Sequence, residues 1–512
     1  GHAAAGGRDA ALRDLIAADQ GVEGAAAGSG GTVRMRVVVT IVMSAVLVAA
    51  PVSATAAEVD TVEPGLVASA PEEQRELEPA SGTIVPTTIT SATGLLPTAG
   101  VYESERALIL QQTNDLRATR GLPPLRLNAA LNDIAQDWSV QQARSSRMSH
   151  RPGFHLLYPS GWSRAAENVA AGYSPSAVVG AWAGSTGHRA NMLANHTDIG
   201  IGVAVSSTGR LYYTQNFGRY SSAPPTPPGD VYRLSGSDRF ATSAQISSRT
   251  FPSGASTVYV ASGLDFPDAL SAAALAGAAD APLLLVTRSS VPSVILRELR
   301  RLDPDRIVVA GGSGVVTSSV ISRLRTVASD VDRIAGGVGA PVVYIATGAG
   351  YADALAAGPA AASVDAPVVL VPGASRSADS ATLALLRHLD TERVVIVGGT
   401  GAVSSGIQQS LNAAGLAVER IAGAARYATA ALIGAAHFPD APRGYLATGT
   451  GFADALSGGA AAGALGAPLF TVRPGCVPSQ AHSALRAQNP DDLVLLGGLG
   501  ALSPRVAGFY RC

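Results

Sequence analysis

Phe266-Pro267-Asp268-Ala269-Leu270, Tyr351-Ala352-Asp353-Ala354-Leu355 and Phe452-Ala453-Asp454-Ala455-Leu456 are three copies of one phrase, an aromatic residue followed by x-Asp-Ala-Leu. The same landmarks recur around each copy in the same order. Upstream stands an Arg-hydrophobe-small-Gly turn: Arg233-Leu234-Ser235-Gly236, Arg333-Ile334-Ala335-Gly336 and Arg420-Ile421-Ala422-Gly423. Downstream, an Ala-Pro at Pro282, Pro367 and Pro468 leads into an apolar run, and a Gly-Gly pair closes the copy at Gly311-Gly312, Gly398-Gly399 and Gly497-Gly498. Four landmarks in register three times define an internal repeat. Strand-like runs such as Val258 to Ala261 and Arg306 to Ala310 alternate with Ala- and Leu-rich helical stretches. That alternation predicts parallel α/β units. The copies divide the C-terminal half into 231–331, 332–418 and 419–512. From Arg to Asp the first spans 35 residues and the third 34, the second only 20, so the middle copy is expected to lack its first helix.

The composition narrows the chemistry. The chain has 512 residues, a formal net charge of −1 and 37 basic residues, every one of them Arg. Near-neutral charge argues against a nucleic-acid footprint. The absence of lysine removes the Walker A lysine, Schiff bases and Ser-x-x-Lys acylases. Arg34 and Arg36, the apolar run Val37 to Ala50 and Ala54-Thr55-Ala56 have the order of a secretory signal peptide over 35–56, with 1–34 an extension ahead of the expected start at Met35. No second apolar span follows, so no stable membrane span is expected after signal cleavage. Export makes a disulfide between Cys476 and Cys512 the expected state of the two cysteines. Residues 57–103 read as a flexible linker and 221–230 as a semi-rigid Pro-rich one.

The repeats resemble the cell wall-binding repeat 2 family of Gram-positive surface proteins. The resemblance implies three α/β modules in a pseudo-threefold arrangement that bind an anionic cell-wall polymer without a covalent link. Arg233, Arg239, Arg333, Arg420 and Arg426 recur at module starts, where they either pair internally with the repeat Asp residues or face the anionic polymer, which makes them the polymer-binding candidates. Asp268, Asp353 and Asp454 precede Ala-rich helices and read as structural carboxylates that cap free N–H groups. The glycine turns are poor dinucleotide loops, because Thr317, Ser404 and Ser503 stand where a third glycine belongs.

Residues 104–220 carry other landmarks: Ser149-His150, Glu167-Asn168, Ala181-Trp182, Gly187-His188-Arg189-Ala190-Asn191 and Asn195-His196. In this order they resemble the bacterial branch of the CAP superfamily, which implies an α-β-α sandwich with a cavity rimmed by two His and two acidic residues. His150 and Glu167 match two of these, His188 is the choice for the second His, and His196 competes for it. The fourth position is in doubt, because Trp182-Ala183-Gly184-Ser185 offers no acid. Two His and a carboxylate at His150, Glu167 and His188 fit either an open zinc site or a buried hydrogen-bond network. Ser149 and Ser185 sit in no Gly-x-Ser-x-Gly elbow, so hydrolysis is the lesser expectation. The chain reads as a secreted, wall-attached protein displaying a CAP-like domain. The alternative is a metal-dependent hydrolase or lipid-binding CAP protein localised by the repeats.

Overall fold

A computed structural model describes residues 102–333 and 339–512. The expected extension and signal peptide, and nearly all of the expected first linker, lie outside the described residues. Among the described residues no helix is long and apolar enough to cross a membrane.

The first domain contains α1 (Glu103–Ala118), β1 (Arg126–Leu127), α2 (Ala129–Ser145), β2 (Trp162–Ala171), α3 (Val178–Gly184), α4 (Thr186–Leu193), β3 (Asp198–Val205) and β4 (Leu211–Tyr220). The strands form one sheet in the order β1-β3-β4-β2, antiparallel except where β1 runs parallel to β3. Helix α2 packs on one face; α1, α3 and α4 cover the other. This is the expected α-β-α sandwich. Asn128 starts α2 by accepting hydrogen bonds from the N–H groups of Ala130 and Leu131. Gly200 and Gly202 let α2 lie against β3, since a Cβ at either would fall about 2.1 Å from the helix backbone.

The second half runs through β5 (Asp230–Leu234), α5 (Arg239–Thr250), β6 (Thr257–Ser262), α6 (Pro267–Ala278), β7 (Leu283–Val286), α7 (Ser293–Leu302), β8 (Arg306–Val309), α8 (Ser318–Leu324) and β9 (Asp330–Arg333). The middle copy supplies β10 (Val342–Thr347), α9 (Ala352–Ala362), β11 (Val368–Val371), α10 (Ser380–His388), β12 (Arg393–Val397), α11 (Ser405–Ala413) and β13 (Ala417–Ile421). The last supplies α12 (Arg426–His437), β14 (Arg443–Thr448), α13 (Ala453–Ala464), β15 (Leu469–Val472), α14 (Ser479–Gln488), β16 (Asp492–Leu496) and α15 (Pro504–Ala507). Helices α5 and α12 are counterparts. Among the described residues between β9 and β10 there is no such helix.

Three parallel sheets result, in the orders β7-β6-β8-β9, β11-β10-β12-β13 and β15-β14-β16-β5. Three strands of each sheet, β6, β7 and β8 and their counterparts, are largely buried and need no polar alternation, which is why they read as apolar runs. The opening strand of each sequence copy completes the sheet of another: β9 and β13 finish the preceding module, and β5 pairs along its whole length with β16 of the last. The set of three is therefore closed by a strand that precedes all of it in sequence.

Helices α6, α9 and α13, which follow the aromatic-x-Asp-Ala-Leu phrase, pack pairwise against one another. A helix enclosed on all sides carries small apolar residues all round rather than on one stripe. The contact is close enough that a Cβ on Gly277 would lie 3.0 Å from both the Cα of Gly463 and the Cβ of Ala362. At their N-terminal ends the three aromatic residues meet, with ring centroids 5.6 Å apart for Phe266–Tyr351 and Tyr351–Phe452 and 5.9 Å for Phe266–Phe452. This trio marks the pseudo-threefold axis.

Candidate functional site

Strand β2 lies at the sheet edge, with Glu167 opposite Asn216 of β4. The Glu167 side chain is buried. Its Oε1 lies 2.9 Å from His150 Nδ1 and accepts the Arg151 backbone N–H at 2.9 Å, while Oε2 is buried without a partner. Burial pushes this carboxyl up, and His150 and the Arg151 N–H partly offset the rise. The His150 side chain is 53% exposed. His188, on α4, has a buried, unpartnered Nδ1 and is pushed down by burial and then by His150 nearby. His150, Glu167 and His188 are thus gathered at one edge of the sandwich.

His196 is not part of this group. It stacks on Phe217 at 5.4 Å, and Phe217 alternates with Asn216 along β4, so it lies on the face opposite Glu167. Both ring nitrogens of His196 are buried without partners. Burial first, and then Arg164 and Arg117, bring its pKa down to about 3. It is a core histidine held neutral.

Residues outside the candidate set hold the edge together. Asn168 donates to the His188 carbonyl and to Gln215 Oε1, and Asn191 donates to Asn168 Oδ1 and to the Glu167 carbonyl. Arg151 pairs with Asp137 of α2 at 2.8 Å and lies over the Trp138 ring. Adjacency was the available signal: Arg151 follows His150 and Asn168 follows Glu167. Glu167 Oε1 is committed to His150 and Arg151, and among the described residues no three His, Cys, Asp or Glu side chains are grouped to hold a metal ion. No serine hydroxyl among the described residues is hydrogen-bonded to His150 or His188. The cluster ties the His150 loop and α4 to the sheet edge.

In the repeats the landmark residues form one unit per module. Gly311, Gly398 and Gly497 have φ of 103°, 106° and 98°, the left-handed region that glycine tolerates. A Cβ there would stand 2.6, 2.8 and 2.3 Å from Oδ2 of Asp268, Asp353 and Asp454. Arg333 donates to the Gly311 carbonyl, Arg420 to Gly398 at 2.7 Å and Arg233 to Gly497 at 2.7 Å. Two expectations need correction. The three Asp residues sit in the first turns of α6, α9 and α13, but the N-cap positions are the aromatic residues and no side chain caps these helices. The carboxylates instead seat against the glycine turns. Arg233, Arg333 and Arg420 are clamps on those turns. Arg233 is also spent on Asp133, its side chain only 6% exposed, and Arg333 on the Val316 carbonyl.

Arg239 and Arg426 differ. Each is exposed and uses Nη1 on one carbonyl, of Gly263 at 2.5 Å and Gly449 at 2.6 Å. Arg239 lies 5.8 Å over the Phe452 ring of the axial trio. Burial raises all three Asp residues. Thr242, Arg239 and Arg233 counter the rise at Asp454, and Thr429 and Arg426 counter it at Asp353. At Asp268, Asp265 adds to the rise and only Arg333 opposes it. Cys476 and Cys512 are joined in a disulfide that ties the last strand-like segment to the loop before α14.

The model described as cell wall binding domain 2 matches residues 233–321, 324–408 and 420–507, and the cysteine-rich secretory protein family (CAP) model matches 110–217. The chain belongs to the cell wall binding domain 2 family and carries a CAP domain ahead of its three repeats; it is a cell-wall-associated surface protein. It is 28% identical over 298 residues to the N-acetylmuramoyl-L-alanine amidase LytC of Bacillus subtilis (strain 168), covering 55% of this chain and 59% of that one. It is 32% identical over 118 residues to the uncharacterized protein YkwD of the same organism, covering 21% and 45%. Among solved structures it resembles Cwp6 from Clostridium difficile with a TM-score of 0.51 and 24% identity, over 57% of this chain and 49% of that one, a likeness of fold alone. The chain spans less than two thirds of each of these relatives.

Proposed function

We propose that the protein is exported and held on the wall without a covalent bond by an anionic polymer bound at the axial end of the three modules, where it displays its CAP domain. The observation that carries this is the pairing of two exposed guanidiniums, Arg239 and Arg426, with an aromatic cluster whose rings are only half-buried. Guanidinium groups grip phosphate or carboxylate through paired N–H bonds, and ring faces offer a surface for the apolar side of a sugar. The middle copy supplies no third arginine of this kind, so the platform is cationic on two sides and acidic, through Asp265 and Asp268, on the third. Tethered weak contacts then add through effective concentration.

The test is co-sedimentation of the full chain with purified cell walls. Replacing both Arg239 and Arg426 by Ala should cut retention at least about tenfold. Binding that survives removal of the anionic polymers, or that ignores both substitutions, overturns the reading. For the CAP domain we read the His150–Glu167–Asn191 cluster as a network that ties loop and helix to the sheet edge. His150→Ala should then lower stability, and zinc titration should show no uptake that depends on His150.

A further inference from the structure

Modules one and two each end in an outer helix that covers the strand completing their sheet. In module one, Val320 and Leu324 of α8 share a buried cluster with Val331 of β9. In module two, Ile407 and Leu411 of α11 cover Val418 of β13, and Gln408 accepts from Arg420 Nε at 3.0 Å. Module three has no equal. Its α15 is a four-residue turn, Pro504–Ala507, and its completing strand β5 comes from the far end of the repeats. An edge strand left in that state exposes apolar surface and unpaired backbone.

The helix that covers it comes from the CAP domain. Helix α2 packs on β5 and on α15. Asp133 of α2 takes both Nε and Nη2 of Arg233, at 2.9 and 2.7 Å, where Gln408 takes Nε of the equivalent Arg420. This ion pair is nearly dry, with side chains 6% and 7% exposed. Arg144, three turns further along α2, donates to the Ser235 carbonyl at 3.2 Å and to Gln245 at 3.3 Å. At the other end of α2, a Cβ on Gly508 would lie 3.1 Å from Ala130. The contact therefore runs along the length of the helix. We infer that α2 is the outer helix of the third module, so that the CAP domain and the three repeats form one body through a surface on β5 and α15 that fits this helix.

The same helix also serves the His150 edge. Asp137, one turn beyond Asp133, pairs with Arg151, whose backbone N–H holds Glu167. The His150 edge consequently has a fixed orientation to the wall-binding modules, and residues 221–229 join the two halves without acting as a hinge. This inference does not depend on what the modules bind.

The test uses the full chain with a protease site substituted into Ser221 to Pro228, cleaved after folding. The two halves should co-elute at micromolar concentration. Asp133→Ala leaves Arg233 buried without its carboxylate and should weaken their association about a hundredfold or more. Arg144→Ala, at the rim, should weaken it several-fold and provides the same measurement if the Asp133 variant does not fold. Separation of the wild-type halves after cleavage would refute the inference. So would unchanged association in every folded variant.

Discussion

His196 shows how a histidine in a motif-rich stretch turns out to be core. Its folded pKa, about 3, lies below the unfolded value of about 6.5. A group depressed in this way contributes stability that is complete above the unfolded pKa and is lost as pH falls toward the folded one. Acidification from pH 7 to pH 5 should therefore cost about 2 kcal/mol through this residue. His196→Phe, which keeps the stack on Phe217, should remove that part of the loss in urea titrations at the two pH values. An equal loss in both proteins would show that His196 is not the group responsible. The glycine turns allow a second comparison. Gly398→Ala places a Cβ 2.8 Å from Asp353 Oδ2 on a backbone at φ 106° and should cost about 2–4 kcal/mol. Its neighbour Gly399 meets nothing within 4 Å, and Gly399→Ala should change the midpoint little. Comparable losses at both positions would mean that the Asp–Gly seat is not what the turn requires.

At the scale of elements, most of the architecture was legible because it is periodic. Three registers of Arg, Asp, Pro and Gly-Gly announced the modules, and the middle copy's Arg-to-Asp spacing of 20 residues set it apart from the other two. The partnerships were not legible. A repeat in sequence does not reveal that β5 completes the sheet of the last module, because pairing across such a distance leaves no local pattern. The same blindness made Arg233, Arg333 and Arg420 look available, when they hold turns of another copy. In the CAP domain His150, Glu167 and His188 followed from motif order, whereas period-2 alternation on β4 was needed to see that His196 points the other way. The different neighbours of the three repeat Asp residues have an energetic consequence. Asp268, raised by burial and by Asp265, contributes stability that is present below its unfolded pKa and lost as pH rises through its folded one. Asp268→Asn should therefore gain more stability at pH 7 than Asp454→Asn, whose carboxylate keeps Thr242, Arg239 and Arg233 beside it. Thermal melts at pH 7 decide the matter, and an equal or reversed order would count against the differing neighbours as the cause.

For the whole molecule, closure depends on two ends that lie far apart in sequence. Strand β5 docks on β16, and the Cys476–Cys512 disulfide fixes the segment after α15 against Val477. That segment contains Gly508, which meets Ala130 of the CAP helix, and Tyr510, whose N–H and carbonyl bond Arg505 and Val477. A crosslink spanning 36 residues restricts the unfolded chain by about 3–4 kcal/mol. If the last module behaved independently, reduction would lower the stability of that module alone. Because the disulfide-bound segment is also part of the floor under α2, reduction should lower the denaturant midpoint reported by the CAP domain as well. Trp138 and Trp162 lie in that domain, and their fluorescence can follow it while circular dichroism follows the helices of the modules. Coincident transitions that shift together on reduction are the expected result. A CAP signal unmoved by reductant would mean that closure of the repeats and placement of the CAP domain are energetically separate.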